Sequence, residues 1–139
     1  MNFFKNLKKF QLISNNGKIY GISEIKELSK TLHELFRGKK LVLFLGDNDE
    51  YSIIFYAACL NLRDCIMPIS SNTSKKSINK IIKNFSPEII FTKESIVNKN
   101  YKKLYSFGLY KILRKKDLIR KINKELALLL STSGSTGES

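Results

Sequence analysis

Apolar positions along this chain follow two rhythms, unbroken short runs and helical spacing, and the exchange between them outlines its elements. Leu41 to Leu45, Cys65 to Ile69, Glu88 to Thr92 and Leu126 to Leu130 are short, largely apolar runs bounded by turn formers. Such runs read as strands, and the unbroken ones as strands buried on both faces of a sheet. Between them apolar residues recur at helical spacing: Ile25, Leu28, Leu32, Leu35 and Phe36, then a segment from about Asp49 to Leu62, then Ile78, Ile81, Ile82 and Phe85. Ser23 is placed to N-cap the first helix and Gly38 to close it at C′. Gly46-Asp47-Asn48 turns the chain and caps the second, and Pro87 ends the third near Ser86 by disfavouring helix in the residue before it.

The ends are less regular. Lys9 to Ile13 and Lys18 to Tyr20 flank Ser14-Asn15-Asn16-Gly17, and Asn-Gly between apolar runs signals a hairpin. Ser70 to Ser74 reads as a polar turn, Ser95 to Lys103 as loop, Leu104 to Leu113 as holding one strand, and Asp117 to Asn123 as a short helix. Strands alternating with helices at this spacing predict an α/β fold, with a mostly parallel sheet and helices on both faces. At 139 residues the chain is enough for one core, with residues 1–16 as a candidate N-terminal arm.

Composition adjusts this picture only at its margins. A 42% hydrophobic, 11% aromatic chain is globular. The net charge of +13 raises nucleic acid or an anionic membrane surface as partner. The basic residues are mostly Lys dispersed among Asn and Ile, as AT-rich coding tends to give, and clustered Arg with exposed aromatics would be the stronger nucleic-acid sign. Nucleic acid is therefore disfavoured. No apolar run reaches the roughly 18 residues that span a bilayer, so no transmembrane segment is expected. The Lys-broken start, MNFFKNLKKFQLI, lacks a signal peptide's apolar region. Cys59 and Cys65 lack metal-ligand spacing and read as reduced thiols of a cytoplasmic protein.

Candidate chemistry concentrates at the end, LALLLSTSGSTGES. The apolar run Leu126 to Leu130 empties into Ser131, Thr132, Ser133, Gly134, Ser135, Thr136 and Gly137, a strand feeding a loop of glycines and hydroxyls. Glycine lets backbone N–H groups approach an anion closely, and hydroxyls add donors suited to phosphate oxygens. A P-loop needs glycine at the position of Ser139 followed by Lys, and the dinucleotide fingerprint needs a closer glycine pair, so neither pattern fits. Elsewhere, Asp47 and Asp49 suit capping better than metal binding. The only histidine, His33, reads as a solvated helix residue, and Tyr51, Phe55 and Tyr56 as core.

Thr132-Ser133-Gly134-Ser135-Thr136-Gly137-Glu138 resembles the phosphate-binding signature of the AMP-forming acyl-adenylate ligases, T-S-G-[ST]-T-G-x-P-K. That family includes acyl-CoA synthetases, luciferases and peptide-synthetase adenylation domains. Ser139 stands where the family has Pro, and the signature Lys would be the next residue. The segments Gly17 to Leu35, Leu41 to Asn48, Ser52 to Leu60, Ile66-Met67-Pro68-Ile69 and Ser77 to Thr92 are similar in order to the family's opening elements. The resemblance implies ATP and Mg²⁺ as cofactors, a carboxylic acid as substrate, and coenzyme A or a carrier thiol as acceptor. Residues 132–137 would cradle the β- and γ-phosphates. The family's acid pocket, metal-associated Glu, ribose-binding Asp and catalytic Lys lie downstream, so the chain is expected to be an N-terminal portion, inactive alone. Two alternatives stay open: a non-catalytic anion- or nucleotide-binding module, and a basic protein that binds nucleic acid or a membrane surface.

Overall fold

The structure, a computed structural model, describes residues 11–13, 17–96 and 98–116. It opens with a hairpin of β1 (Gln11–Ile13) and β2 (Ile19–Gly21), antiparallel with Leu12 opposite Tyr20. Then follow α1 (Ile22–Leu35), β3 (Leu41–Phe44), α2 (Glu50–Asn61), β4 (Cys65–Pro68), α3 (Lys75–Phe85), β5 (Ile89–Thr92), β6 (Tyr101–Phe107) and β7 (Tyr110–Lys115). The expected helix at 117–123, strand at 126–130 and phosphate loop at 132–137 lie outside the described residues.

The class is α/β, but the expected parallel sheet is corrected. Five strands order as β4-β3-β5-β7-β6, with β3 parallel to β4 and β5, and β7 antiparallel to β5 and β6. The sheet is mixed because the stretch expected to hold one strand holds two. Phe107 pairs with Tyr110 across a two-residue turn, and Gly108 takes φ +61, the glycine-first pattern of a tight hairpin. Tyr101 to Lys103, expected as loop, therefore belongs to β6.

Cap assignments also shift. Ser23 sits inside α1; the N-cap is Gly21, whose N–H donates to the Glu24 carboxylate at 2.9 Å. Strand β2 runs extended directly into the helix, which leaves no room for a separate capping residue. At the other end the C-cap is Phe36, with the positive-φ Gly38 two residues beyond it. The N-cap of α2 is Asp49, accepting from Ser52 N at 2.8 Å, whereas Asp47, also expected to cap, and the rest of the Gly46-Asp47-Asn48 turn do not; Ser86 ends α3 in the left-handed region.

The core forms two clusters sorted by strand alternation. Val42, Ile66, Ile89, Phe91 and Ile112 pack with α1 and α2. Leu41, Leu43, Cys65, Met67, Ile90 and Leu113 pack with Ile78, Ile81 and Ile82 of α3. Helix α2 is apolar nearly all round, as a helix wedged between α1 and a sheet must be. Pro68 is tolerated because β4 is an edge strand: Ile69 N donates to Phe44 O, so the N–H that Pro68 lacks would have pointed away from β3. No helix among the described residues is long and apolar enough to cross a membrane.

Candidate functional site

In open α/β sheets, ligands bind beyond the carboxyl ends of the parallel strands, where successive connections leave in opposite directions. Here that place is the end of β3: its connection through α2 leads to β4 on one side, and β5 lies on the other. Six side chains meet there from five segments of the chain. Asp47 and Asp49 come from the β3–α2 turn, Ser52 from α2, Ser71 from the turn after β4, Lys93 from the end of β5, and Tyr110 from the start of β7.

Gly46 makes the convergence possible. A Cβ there would sit 2.5 Å from the Phe44 ring and 2.6 Å from Ser52 Oγ, so only glycine lets the turn fold down onto α2. The next N–H, of Asp47, then donates to Ser52 Oγ at 2.9 Å and to the Tyr110 hydroxyl at 3.2 Å. Ser52 Oγ donates in turn to Tyr110 at 2.9 Å, and the Tyr110 hydroxyl donates to the Asp49 carboxylate that also caps α2. On the outer side Asp47 accepts from Ser71 Oγ and pairs with Lys93 Nζ at 2.6 Å, while Lys93 lies over the Tyr110 ring at 5.5 Å. Beneath this lies an aromatic stack, Tyr110 on Phe91 at 4.3 Å and Phe91 on Phe55 at 4.1 Å.

The contacts shift three of these groups. Lys93 and Ser71 hold the Asp47 carboxyl below the usual carboxylate range, and Asp47 raises Lys93 above the usual lysine range. Burial first, and the Asp49 carboxylate second, push the Tyr110 phenol up. All three shifts lead away from neutral pH, so Asp47 and Lys93 keep their charges and Tyr110 stays an uncharged phenol. Asp47 and Asp49 are occupied by other groups, and among the described residues no set of three or more His, Cys, Asp or Glu is placed to hold a metal ion.

The opposite, amino ends of the strands are closed by buried ions. Lys40 Nζ pairs with Asp64 at 2.9 Å with both side chains buried, and Lys40 N donates to the same carboxylate at 3.3 Å. Glu88 accepts from Leu41 N at 2.7 Å. Burial drives Asp64 up to about 6 against the pull of Lys40, and burial also raises the neighbouring Cys59 thiol well above its usual range. This end is structural, and both cysteines are buried and outside any disulfide.

Of the residues singled out from sequence, the structure brings Asp47 and Asp49 together as partners of a network, shows His33 exposed, and packs Tyr51, Phe55 and Tyr56 in or against the core. Residues 132–137 lie outside the described residues. Sequence reasoning missed Ser71, Lys93 and Tyr110. The first two follow the apolar runs of β4 and β5, the position where an α/β sheet displays its ligands, and that rule could have marked them. Tyr110 carries no such signal, because it enters across the sheet from the unforeseen hairpin. No protein-family model, curated protein or solved structure matches this chain.

Proposed function

We propose that this chain is the N-terminal portion of an ATP-dependent, AMP-forming ligase that activates a carboxylic acid and passes it to a thiol. The observation that carries the reading is the run Thr132-Ser133-Gly134-Ser135-Thr136-Gly137 behind the apolar segment Leu126 to Leu130. The element order supports it: hairpin, helix, strand, Asn48-bearing turn, helix, strand entering Pro68, helix and strand follow in the sequence the resemblance implies. The two core clusters, one with α1 and α2 and the other with α3, support helices on both faces of the sheet. Buried thiols at Cys59 and Cys65 that form no disulfide suit a cytoplasmic setting.

In such a ligase the acid's carboxylate oxygen bonds to the α-phosphorus of ATP as the bond to the bridging oxygen breaks and pyrophosphate leaves. The thiol then attacks the acyl carbon and displaces AMP. Residues 132–137 would serve the first step by donating to the β- and γ-phosphate oxygens, from hydroxyls and from backbone N–H groups that Gly134 and Gly137 leave open. Mg²⁺ would share that phosphate charge, held by residues other than the described ones. The carboxyl-end network of Asp47, Asp49, Ser52, Ser71, Lys93 and Tyr110 would stiffen the turns around the site.

Exchange of labelled pyrophosphate into ATP, dependent on added carboxylic acid, tests the reading. The 139-residue chain alone should exchange no label. The polypeptide read on past Ser139 should do so, and should lose most of its rate on Ser135→Ala with Thr136→Ala. Nucleotide binding without exchange at any length would replace the ligase with the non-catalytic module. Salt-sensitive retention on heparin without nucleotide binding would favour the basic-surface alternative.

A further inference from the structure

The connection from β4 into α3 reads Ile69-Ser70-Ser71-Asn72-Thr73-Ser74, and α3 begins Lys75-Lys76-Ser77. Five hydroxyl residues and two lysines thus follow the carboxyl end of a parallel strand, where an α/β sheet displays ligands. Beside them the structure holds an open concavity of about 530 Å³, within the range of small-molecule sites. Its lining combines the polar side chains of Lys76, Lys80, Thr73 and Ser77 with the apolar ones of Ile69 and Ile81. Ser74 caps α3 itself, accepting from Ser77 N at 3.2 Å, so what the concavity offers a ligand is its side chains.

The charge pattern is one that helix stability alone would not select. Lys76 stands in the first turn of α3, where the helix dipole disfavours a cation, and the helix holds no acidic residue. Lys76 and Lys80 are one turn apart and so share a face, and among the described residues neither is ion-paired. Two like charges at this spacing repel modestly, a cost that a shared anion between them would remove.

We propose that this concavity binds a phosphorylated organic molecule, with the phosphate between Lys76 and Lys80 and its organic body on Ile69 and Ile81. A phosphate monoester carries close to two negative charges near neutral pH, matching the two ammonium groups. Thr73 and Ser77 supply hydroxyl donors to its oxygens. The apolar wall separates this site from a groove that tracks a polyanion, which would need cations on both sides. The inference does not rest on residues 132–137 or on the ligase reading.

The test uses the whole 139-residue chain titrated with phenyl phosphate and with inorganic phosphate, followed by calorimetry or amide chemical shifts. Phenyl phosphate should bind saturably and about tenfold more tightly than inorganic phosphate, because only it reaches the apolar wall. Lys76→Glu with Lys80→Glu should weaken it at least about tenfold, whereas Lys83→Glu, on the same helix but outside the concavity, should not. All three lysines are exposed, so the variants should fold as the parent does, with melting shifted only slightly, up by Lys76→Glu and down by Lys83→Glu through the helix dipole. Vesicles of phosphatidylcholine with and without phosphatidic acid separate a lipid headgroup from a soluble ligand. Capture by the acidic vesicles that the double substitution abolishes assigns the headgroup, and binding of phenyl phosphate alone assigns the soluble molecule. No saturable phenyl phosphate binding, or an equal loss in Lys83→Glu, overturns the proposal.

Discussion

Tyr110 concentrates several constraints in one hydroxyl. It donates to Asp49 and accepts from Ser52 Oγ and Asp47 N, while its ring stacks on Phe91. Tyr110→Phe keeps the stack and removes the hydroxyl, so Asp49 and Ser52 lose a partner at a partly buried position. Stability should fall by about 1–3 kcal/mol, measured by denaturant unfolding. A loss within experimental error would mean that water replaces the hydroxyl and that the network does not hold the turn. At this scale the sequence spoke clearly where chemistry is local. Asp49 was readable as a cap because its partner, Ser52 N, is three residues away. Lys93 was not readable as the partner of Asp47, because their meeting depends on β5 lying beside β3.

Among the elements, the hairpin of β6 and β7 decides the character of the sheet. Gly108 has φ +61, and a Cβ there would sit 2.6 Å from the Tyr51 ring. Gly108→Val should therefore cost at least about 1 kcal/mol from the backbone alone. Amide exchange should rise first in β6 and β7, ahead of the central β3, and uniform acceleration across the sheet would contradict a local hairpin defect. The strands of this hairpin escaped pattern reading for a physical reason. Gly-Leu is not one of the strong turn pairs, Leu109 is an apolar residue left 79% exposed at the tip, and a bulge between Lys103 and Tyr105 breaks the alternation of β6. The helices and parallel strands lacked such interruptions, and each appeared within a few residues of its expected bounds.

For the molecule as a whole, the Lys40–Asp64 pair ties stability to pH. Asp64 is held at about 6, against 3.8 as its ordinary value, so the folded chain keeps a proton that the unfolded chain has already released. The raised value makes this contribution present at low pH and lost as pH rises through 6, opposite to the usual salt-bridged carboxylate. Between pH 5 and 7 the stability should drop by about 1 kcal/mol. The carboxyls of Glu24 and Asp47 are lowered, so they are mostly ionised in both states across that window and add only a small opposite slope near pH 5. Replacing the pair with Lys40→Met and Asp64→Leu should flatten the profile without unfolding the protein, since apolar substitutes of similar volume commonly match a buried pair. A wild-type profile already flat over that window would show that Asp64 is ionised at its ordinary value.

What the sequence determined by itself is what short-range physics governs. The apolar period placed three helices and the strands β3, β4 and β5, the α/β class followed from their alternation, and Asp49 and Pro87 marked boundaries through bonds and clashes within a few residues. The ligase resemblance likewise rests on residues adjacent in the chain, 132 to 137. Tertiary structure alone decided strand order, the antiparallel half of the sheet, and which polar side chains meet. Ser71, Lys93 and Tyr110 reach Asp47 and Asp49 from 24 to 63 residues away. The concavity beside α3 is likewise a property of how α3 seats against the sheet. Contacts of that span are set by packing of the whole core, and no local pattern encodes them.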